Sequence, residues 1–452
     1  MKEIRDRSEG DINISPRRAK WQAANLDAET RSLLEEDAQY FLHQSLSTPC
    51  LNVLRSCEGI YIEDLQGRCY MDFHGNNVHQ VGFSNPQVIA AIKSQLEELS
   101  FCTRRYTNHT AIDLAKKLST IAPGDLNKVL LCPGGTSAVG IALKLARIAT
   151  GRHKTISMWD SFHGASLEAI SIGGEAHFRR DIGPLLPGAE HVPPSDEYHC
   201  LWDCQTRGGC DLKCAEYIEY VLEKEGDIAA VIAEPVRSTP YIPKPEYWQR
   251  IREACNRHGA LLIFDEIPNS LGRTGKMFTC EHYDVVPDIL VIGKGLGGGI
   301  LPLAGVIVRQ ELDLAADRSL GHYTHEKNPV VCAAALAMID YIEENDLLAN
   351  ADQVGRYAME RMETMMADFS LIGDVRGLGL LLGMELVQDR DSRARATDEA
   401  EAVMYSALSR GLSFKITMGN ILTLTPPLII SQDEMEQAMD ILEQSIKDVQ
   451  QD

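Results

Sequence analysis

Apolar positions along the 452-residue chain change spacing from stretch to stretch. Between residues 27 and 46, Leu33, Leu34, Ala38, Phe41 and Leu42 recur at helical intervals and predict an amphipathic helix. GIYIEDLQGRCYMDF then places Ile60, Ile62 and Leu65 before the turn at Gln66-Gly67 and Tyr70 and Phe73 after it, which predicts a β-hairpin. The loop HGNNVHQVGFSNP leads into a helix over 86 to about 99, with proline in its first turn, where the missing N–H has no helical partner to lose. From there apolar strands alternate with helices. DIAAVIAEPV and ALLIFDEI are almost unbroken apolar runs that end in carboxylates, the mark of a parallel sheet covered on both faces with its site at the strand tips. This alternation predicts a large α/β domain over residues 81–325 with a mostly parallel central sheet.

The flanks read differently. Residues 1 to about 25 are polar and lack an apolar face, so they predict a mobile arm or a segment that packs on a partner subunit. Residues 1–80 are assigned to this arm and part of a smaller domain. Residues 326–452 complete that smaller α/β domain: NPVVCAAALAMIDYIEEN opens a long helix, and GLGLLLGMEL and NILTLTPPLII are strand candidates.

Charge narrows the partners. A formal net charge of −21 argues against nucleic acid or an anionic membrane surface, and it requires any anionic substrate to find a locally basic pocket. No apolar run reaches the length of a membrane span, and MKEIRDRSEGD lacks the apolar centre of a signal peptide, so a cytoplasmic protein with reduced cysteines is expected. Four of the 12 cysteines, Cys200, Cys204, Cys210 and Cys214, cluster in HCLWDCQTRGGCDLKC. Their spacing is permitted for a metal but its middle gap is short, and reduced thiols without metal are the expectation.

The candidate chemistry centres on PDILVIGKGLGGGILPLAG, where Lys294 stands between an apolar strand and a glycine cluster. A lysine that forms a Schiff base with pyridoxal 5'-phosphate must leave a strand for such a loop, which also serves equally well as a plain turn. Upstream, Gly134-Gly135-Thr136-Ser137 joins a strand to a helix. Backbone N–H groups at that helix start suit a phosphate, and a simple capped turn reads the same. KTISMWDSFHGAS predicts another strand, ending in an aromatic, Phe162, which is placed to stack on a planar ring or to cover the core. Asp265 ends its strand as a carboxylate that needs a cationic partner, such as a protonated pyridine nitrogen.

Taken in this order, with DEI…GRTG followed by PDI…GKGLGGG, these motifs resemble the class III aminotransferases, pyridoxal-phosphate enzymes of fold type I, from about residue 50 onward. The resemblance implies that Gly135 and Thr136 bind the phosphate, Phe162 stacks on the ring, Asp265 meets its nitrogen and Lys294 forms the Schiff base. It also implies that Thr324, in HYTHEKNP, reaches the cofactor phosphate of a neighbouring subunit, hence a homodimer with shared sites.

Departures from the family pattern then bear on the reaction. Pro268 replaces a frequent glutamine, and Thr136-Ser137 stands where Ser/Thr-Glu is usual. In NILTLTPPL, Thr423 occupies the place of an arginine that grips a carboxylate bidentately. Losing that arginine argues against 2-oxoglutarate as a second substrate and for a lyase, which needs none. HGNNVHQVG and CTRRYTN are similar to the loops of family lyases that act on small amino-phosphonates and amino-phosphates, which implies a small dianionic aminophosphonate substrate. Arg105 and Arg237 are the candidate cations for it, with Asn76 and Asn77 as neutral donors. Each arginine also reads as a surface ion pair, and His79 and His163 read as hydrogen-bonded structural histidines. A pyruvate-dependent transaminase is the runner-up. A non-catalytic cofactor-binding regulator is disfavoured by the presence of both Lys294 and Asp265.

Overall fold

The structure is a computed structural model that describes residues 8, 10, 14–204 and 208–451. It forms two compact units, one of residues 76–81 and 85–349 and one of residues 1–75, 82–84 and 350–452.

The larger unit is built on seven strands: β1 (Leu126–Cys132), β2 (Lys154–Met158), β3 (Ala189–Val192), β4 (Ile228–Ala233), β5 (Leu261–Asp265), β6 (Ile289–Ile292) and β7 (Ala304–Arg309). Their order is β1-β7-β6-β5-β4-β2-β3, and every neighbouring pair is parallel except the two made by β7. Central strands are buried on both faces, as their unbroken apolar sequences require. Helices α1 (Pro86–Glu98), α2 (His109–Ile121), α3 (Gly135–Thr150) and α4 (Pro329–Glu344) belong to this unit. Ala138, Ile141, Ala142 and Leu145 of α3 pack with Ile232, Ile263, Ile289 and Val291 of the sheet.

α4 was expected to open the C-terminal domain, and it groups instead with the larger unit. Val330, Cys332, Ala334, Met338 and Ile342 are among its buried residues, so it is apolar around most of its circumference and needs cover on several sides. It finds that cover on α1 and α2.

In the smaller unit the predicted hairpin is present. Tyr61–Asp64 pairs antiparallel with Cys69–Asp72 around Gln66-Gly67, and Leu412–Ser413 joins it in parallel, so both ends of the chain share one sheet. A second sheet contains Ile372–Leu378, Leu381–Asp389, Lys415–Thr417 and Ile421–Leu424. GLGLLLGMEL, expected as one strand, is folded in two: Gly379 adopts φ +55° and pairs Leu378 with Leu381 across a tight turn. NILTLTPPLII stays a strand only over Ile421–Leu424, where the two prolines that follow Thr425 remove ladder donors.

The N-terminal expectation is revised where it can be. Residues 1–7, 9 and 11–13 of the expected arm lie outside the described residues. Pro16–Asn25, expected to be part of a mobile arm or of a segment that packs on a partner subunit, is a helix capped by Ser15, with Trp21 buried and its indole N–H donating to Ser409 Oγ at 3.0 Å. The next helix runs Ala28–Tyr40, shorter than expected, and Leu33, Phe41 and Leu42 are exposed on the single chain. Among the described residues no helix is long and apolar enough to cross a membrane.

The two carboxylates that end ALLIFDEI do different things. Glu266 is fully buried and caps the short turn Thr279–Tyr283, accepting from Thr279 N at 2.6 Å and from Cys280 N at 2.7 Å. Burial pushes its carboxyl up to about 7, against the pull of those two N–H groups. A raised acid holds a proton in the folded state that the unfolded chain has released. Its stabilising share is therefore present below the ordinary glutamate range and is lost as pH rises through about 7. Melting temperatures of the wild type and Glu266→Gln, compared from about pH 5 to about pH 8, should shift in favour of the variant as pH rises. A gap that does not move with pH would exclude this titration.

Candidate active site

Strand pairing places the two central side chains. β5 and β6 lie side by side with Asp265 opposite Val291, so Asp265 and Lys294 leave the sheet at the same edge from adjacent strands. Asp265 is 2% exposed. Its Oδ1 accepts from Ile267 N at 3.2 Å, and its Oδ2 lies 2.8 Å from His163 Nδ1. His163 is itself buried. Sequence reasoning held it to be a structural histidine; the structure makes its partner the tip aspartate, and its place directly after Phe162 was the available signal.

Lys294 is half-buried and heads a single turn, Lys294–Gly297, after β6, with its backbone at φ +47°. A left-handed conformation is uncommon for lysine and is maintained by surrounding contacts. Gly298 and Gly299 supply the positive φ that the rest of the loop needs.

The turn expected to take the phosphate is built from small residues that admit close neighbours. Gly134 precedes α3, and no side chain caps the helix, so the donors at its start are backbone N–H groups. A Cβ at Gly135 would lie 2.8 Å from Ile267 Cδ1. Thr136 differs from expectation in one respect: its hydroxyl donates to Ser166 Oγ at 2.8 Å and accepts from Ser166 N at 3.2 Å, so it is already engaged. Gly164, at φ +120°, packs against Thr136, where a Cβ would fall 2.7 Å from its Oγ1. The Gly134–Ser137 turn, the Phe162-His163-Gly164 loop, Asp265 and the entry to the lysine loop thus meet at one edge of the sheet. Phe162 is half-buried, with its ring centroid 4.4 Å from that of Phe178.

The expected substrate residues are more dispersed. Asn76 is exposed and Asn77 buried, both in left-handed conformations. Arg237 is 6% exposed, its guanidinium 5.3 Å from the Tyr241 ring centroid, in a small pocket that also contains Glu234. Arg105 and Thr324 are exposed on two loops tied together by Arg104 with His322 and by Asn108, which donates to Lys327 O at 3.0 Å. His79 is fully buried. In the smaller unit, Thr423 shares a hydrogen bond of 2.7 Å with Thr417 and stands across the ladder from Lys415, a buried cation that sequence reasoning did not single out.

Cys200, Cys204, Cys210 and Cys214 line one small pocket, and all are free thiols. Burial pushes Cys204 up to about 12 and Cys214 up to about 11, which favours the protonated thiol. Residues 205–207 between them lie outside the described residues. Among the described residues no group of three side chains is placed to hold a metal ion.

This donor set fits pyridoxal 5'-phosphate: an uncapped helix start for the phosphate, a buried carboxylate for the ring nitrogen and a lysine on the next strand tip for the aldehyde carbon. Comparison with known proteins agrees. The family described as Aminotransferase class-III matches residues 43–446. A protein of Vibrio splendidus named (R)-1-hydroxy-2-aminoethylphosphonate ammonia-lyase is 50% identical over 463 aligned residues, covering 99% of this chain and 97% of that protein. A leucine/methionine racemase of Thermococcus litoralis is 37% identical, covering 92% and 96%. Among solved structures, a Bacillus anthracis aminotransferase superposes with TM-score 0.88 at 30% identity, covering 94% of this chain and 100% of that one. An amine transaminase of an uncultivated Pseudomonas species, solved with pyridoxal phosphate bound, gives 0.84 at 30% identity over 91% and 99%. The cofactor is pyridoxal 5'-phosphate, the architecture is fold type I, and the chain is a member of the class III aminotransferase family.

Proposed function

We propose that this protein is an ammonia-lyase that converts (R)-1-hydroxy-2-aminoethylphosphonate into phosphonoacetaldehyde and ammonia. The observation that carries this reading is the 50% identity, over nearly the whole of both chains, to a relative of that name. Thr423 supports it, since an enzyme that expels hydroxide from its own substrate needs no arginine for a second, dicarboxylic partner.

Pyridoxal phosphate, when bound, supplies the electron sink that lets the amine-bearing carbon give up a proton. Lys294 Nζ is the base that takes this proton. Asp265 holds a proton on the ring nitrogen, and His163, hydrogen-bonded to Asp265, fixes the carboxylate's orientation. Backbone N–H groups at the start of α3, with Gly135 and Thr136, hold the phosphate, and Phe162 covers one face of the ring. Loss of the proton from the amine carbon and of hydroxide from its neighbour leaves an enamine, which takes up water to give the aldehyde and ammonia.

Arg105 and Arg237 provide positive charge for the phosphonate, assisted by Asn76 and Asn77, in a chain of net charge −21. Members of the family are typically homodimers. The exposed position of Thr324 fits a threonine that reaches the partner's phosphate, and the exposed Phe41 and Leu42 fit a covered face. A cytoplasmic location fits this reading. A pyruvate-dependent transaminase is the second reading, favoured by the transaminase names of the structural neighbours.

Purified protein given 1-hydroxy-2-aminoethylphosphonate and no keto acid should release ammonia and aldehyde in equal amounts. Turnover only after pyruvate is added would establish the transaminase, and phosphate release from ethanolamine phosphate would establish a phospho-lyase. His163→Ala should lower kcat while leaving KM nearly unchanged, and Asp265→Ala should lower kcat further; a His163→Ala enzyme with wild-type kcat would separate the histidine from the reaction. Arg105→Ala and Arg237→Ala should each raise KM by a factor on the order of ten to a hundred, the size of a lost charged hydrogen bond, with cofactor content unchanged. Equal loss of cofactor and substrate binding would assign them to structure.

A further inference from the structure

The roles assigned above leave Gln80 unused, in a segment that presses on the lysine loop. Residues 76–81 belong to the larger unit, and they meet the Lys294–Gly299 stretch at two points. The Gln80 carboxamide occupies the space beside the Gly295 Cα: a Cβ there would lie 2.0 Å from its Oε1, 2.2 Å from its Cδ and 2.4 Å from its Nε2. The Val78 carbonyl oxygen lies against Gly299, 3.0 Å from where that residue's Cβ would be. Gln80 therefore rests on the residue that follows Lys294, and Lys294 is the one held at φ +47°.

Only half of this carboxamide is used in the fold. Gln80 is 1% exposed, and its Nε2 donates to Asn77 O at 3.3 Å. Its Oε1 has no hydrogen-bond donor among the described residues, and neither does Oδ1 of Asn77, also 1% exposed. A buried acceptor without a donor destabilises a protein, and an apolar side chain of the same length would remove that cost while giving up one long bond to Asn77 O. A buried amide retained beside the lysine loop is therefore a candidate for a contact made during the reaction.

We propose that Gln80 is a positioning residue for Lys294: its carboxamide clamps the backbone at Gly295, and its free oxygen accepts a hydrogen bond from an N–H or O–H donor that appears at this loop during turnover. The donor is either the Lys294 ammonium after it has taken the proton, or the hydroxyl of the substrate. The second source rests on the ammonia-lyase reading, and the clamp does not.

Gln80→Met keeps length and removes hydrogen bonding, Gln80→Glu keeps an acceptor, and Gln80→Ala removes the clamp. With cofactor bound and no substrate present, the absorbance band of the loaded protein is titrated against pH. Its midpoint should move in Gln80→Ala, because the lysine's approach is no longer fixed. Gln80→Met, which removes the unpaired Oε1 and the bond to Asn77 O together, should melt near the wild-type temperature and lose kcat by a factor on the order of ten or more, the size of a lost charged hydrogen bond. Gln80→Glu should recover part of it. If Gln80→Met with cofactor bound also binds 2-aminoethylphosphonate as tightly as the hydroxylated substrate, where the wild type prefers the latter, the donor is the substrate hydroxyl. If that discrimination survives and the pH limb of kcat shifts, the donor is Lys294. Wild-type kcat and pH profile in Gln80→Met, together with an unmoved band in Gln80→Ala, would overturn the proposal, as would a Gln80→Met protein that fails to fold while Gln80→Glu folds. Should the wild type not turn over the hydroxyphosphonate at all, the lyase reading fails, and the substrate-free titration still decides the clamp.

Discussion

The pairing of β5 with β6 is the constraint on which the site depends. Parallel strands with Asp265 opposite Val291 deliver a buried carboxylate and, three residues beyond its strand partner, a lysine to the same edge of the sheet. The sheet must be covered on both faces to hold such apolar strands, and α3 and α4 contribute to the helical layers of this unit. Covering the sheet also brings the start of α3 to that edge, so the anion-binding end of a helix and the carboxylate arrive there as consequences of one architecture. The chemistry is thereby placed by backbone hydrogen bonds rather than by the flexible side chains around it.

Much of this was legible in the sequence because it is encoded locally. Unbroken apolar runs ending in Asp265 and in Ile292-Gly293-Lys294 state both the sheet and the edge at which its polar groups gather. What could not be read is what depends on distant residues. His163 follows a strand-end aromatic in the sequence, but its partner Asp265 lies 102 positions away, and no local pattern distinguishes a histidine buried against a carboxylate from one buried against a carbonyl. Residues 76–81 look like a solvated loop, rich in asparagine, histidine and glutamine, yet Asn77, His79 and Gln80 are all buried. Pro16–Asn25 is a helix whose few apolar positions make no stripe, and Trp21 alone anchors much of its buried face. The placement of α4 failed for a related reason: a helix that is apolar all round does not say which neighbour will cover it.

The arginines show the same limit from the other side. A cation in a strongly acidic chain is conspicuous in a sequence, but whether it faces a substrate or an aromatic ring is a matter of tertiary geometry. Arg237 lies over Tyr241, four residues on, in a pocket with Glu234, whereas Arg105 stands on an exposed loop. Residue type was sufficient to nominate both and could not tell these two environments apart.

Ile267 gives the site a fixed dimension. Its methyl groups touch the position of a Cβ at Gly135 on one side and at Gly293 on the other, at 2.8 and 3.4 Å. A single aliphatic side chain thus acts as a spacer between the turn at the start of α3 and the loop that carries Lys294. Its width is set by van der Waals radii, which neither pH nor ionic strength alters. Loops around such a gauge can shift while the spacing between this turn and the lysine loop stays the same.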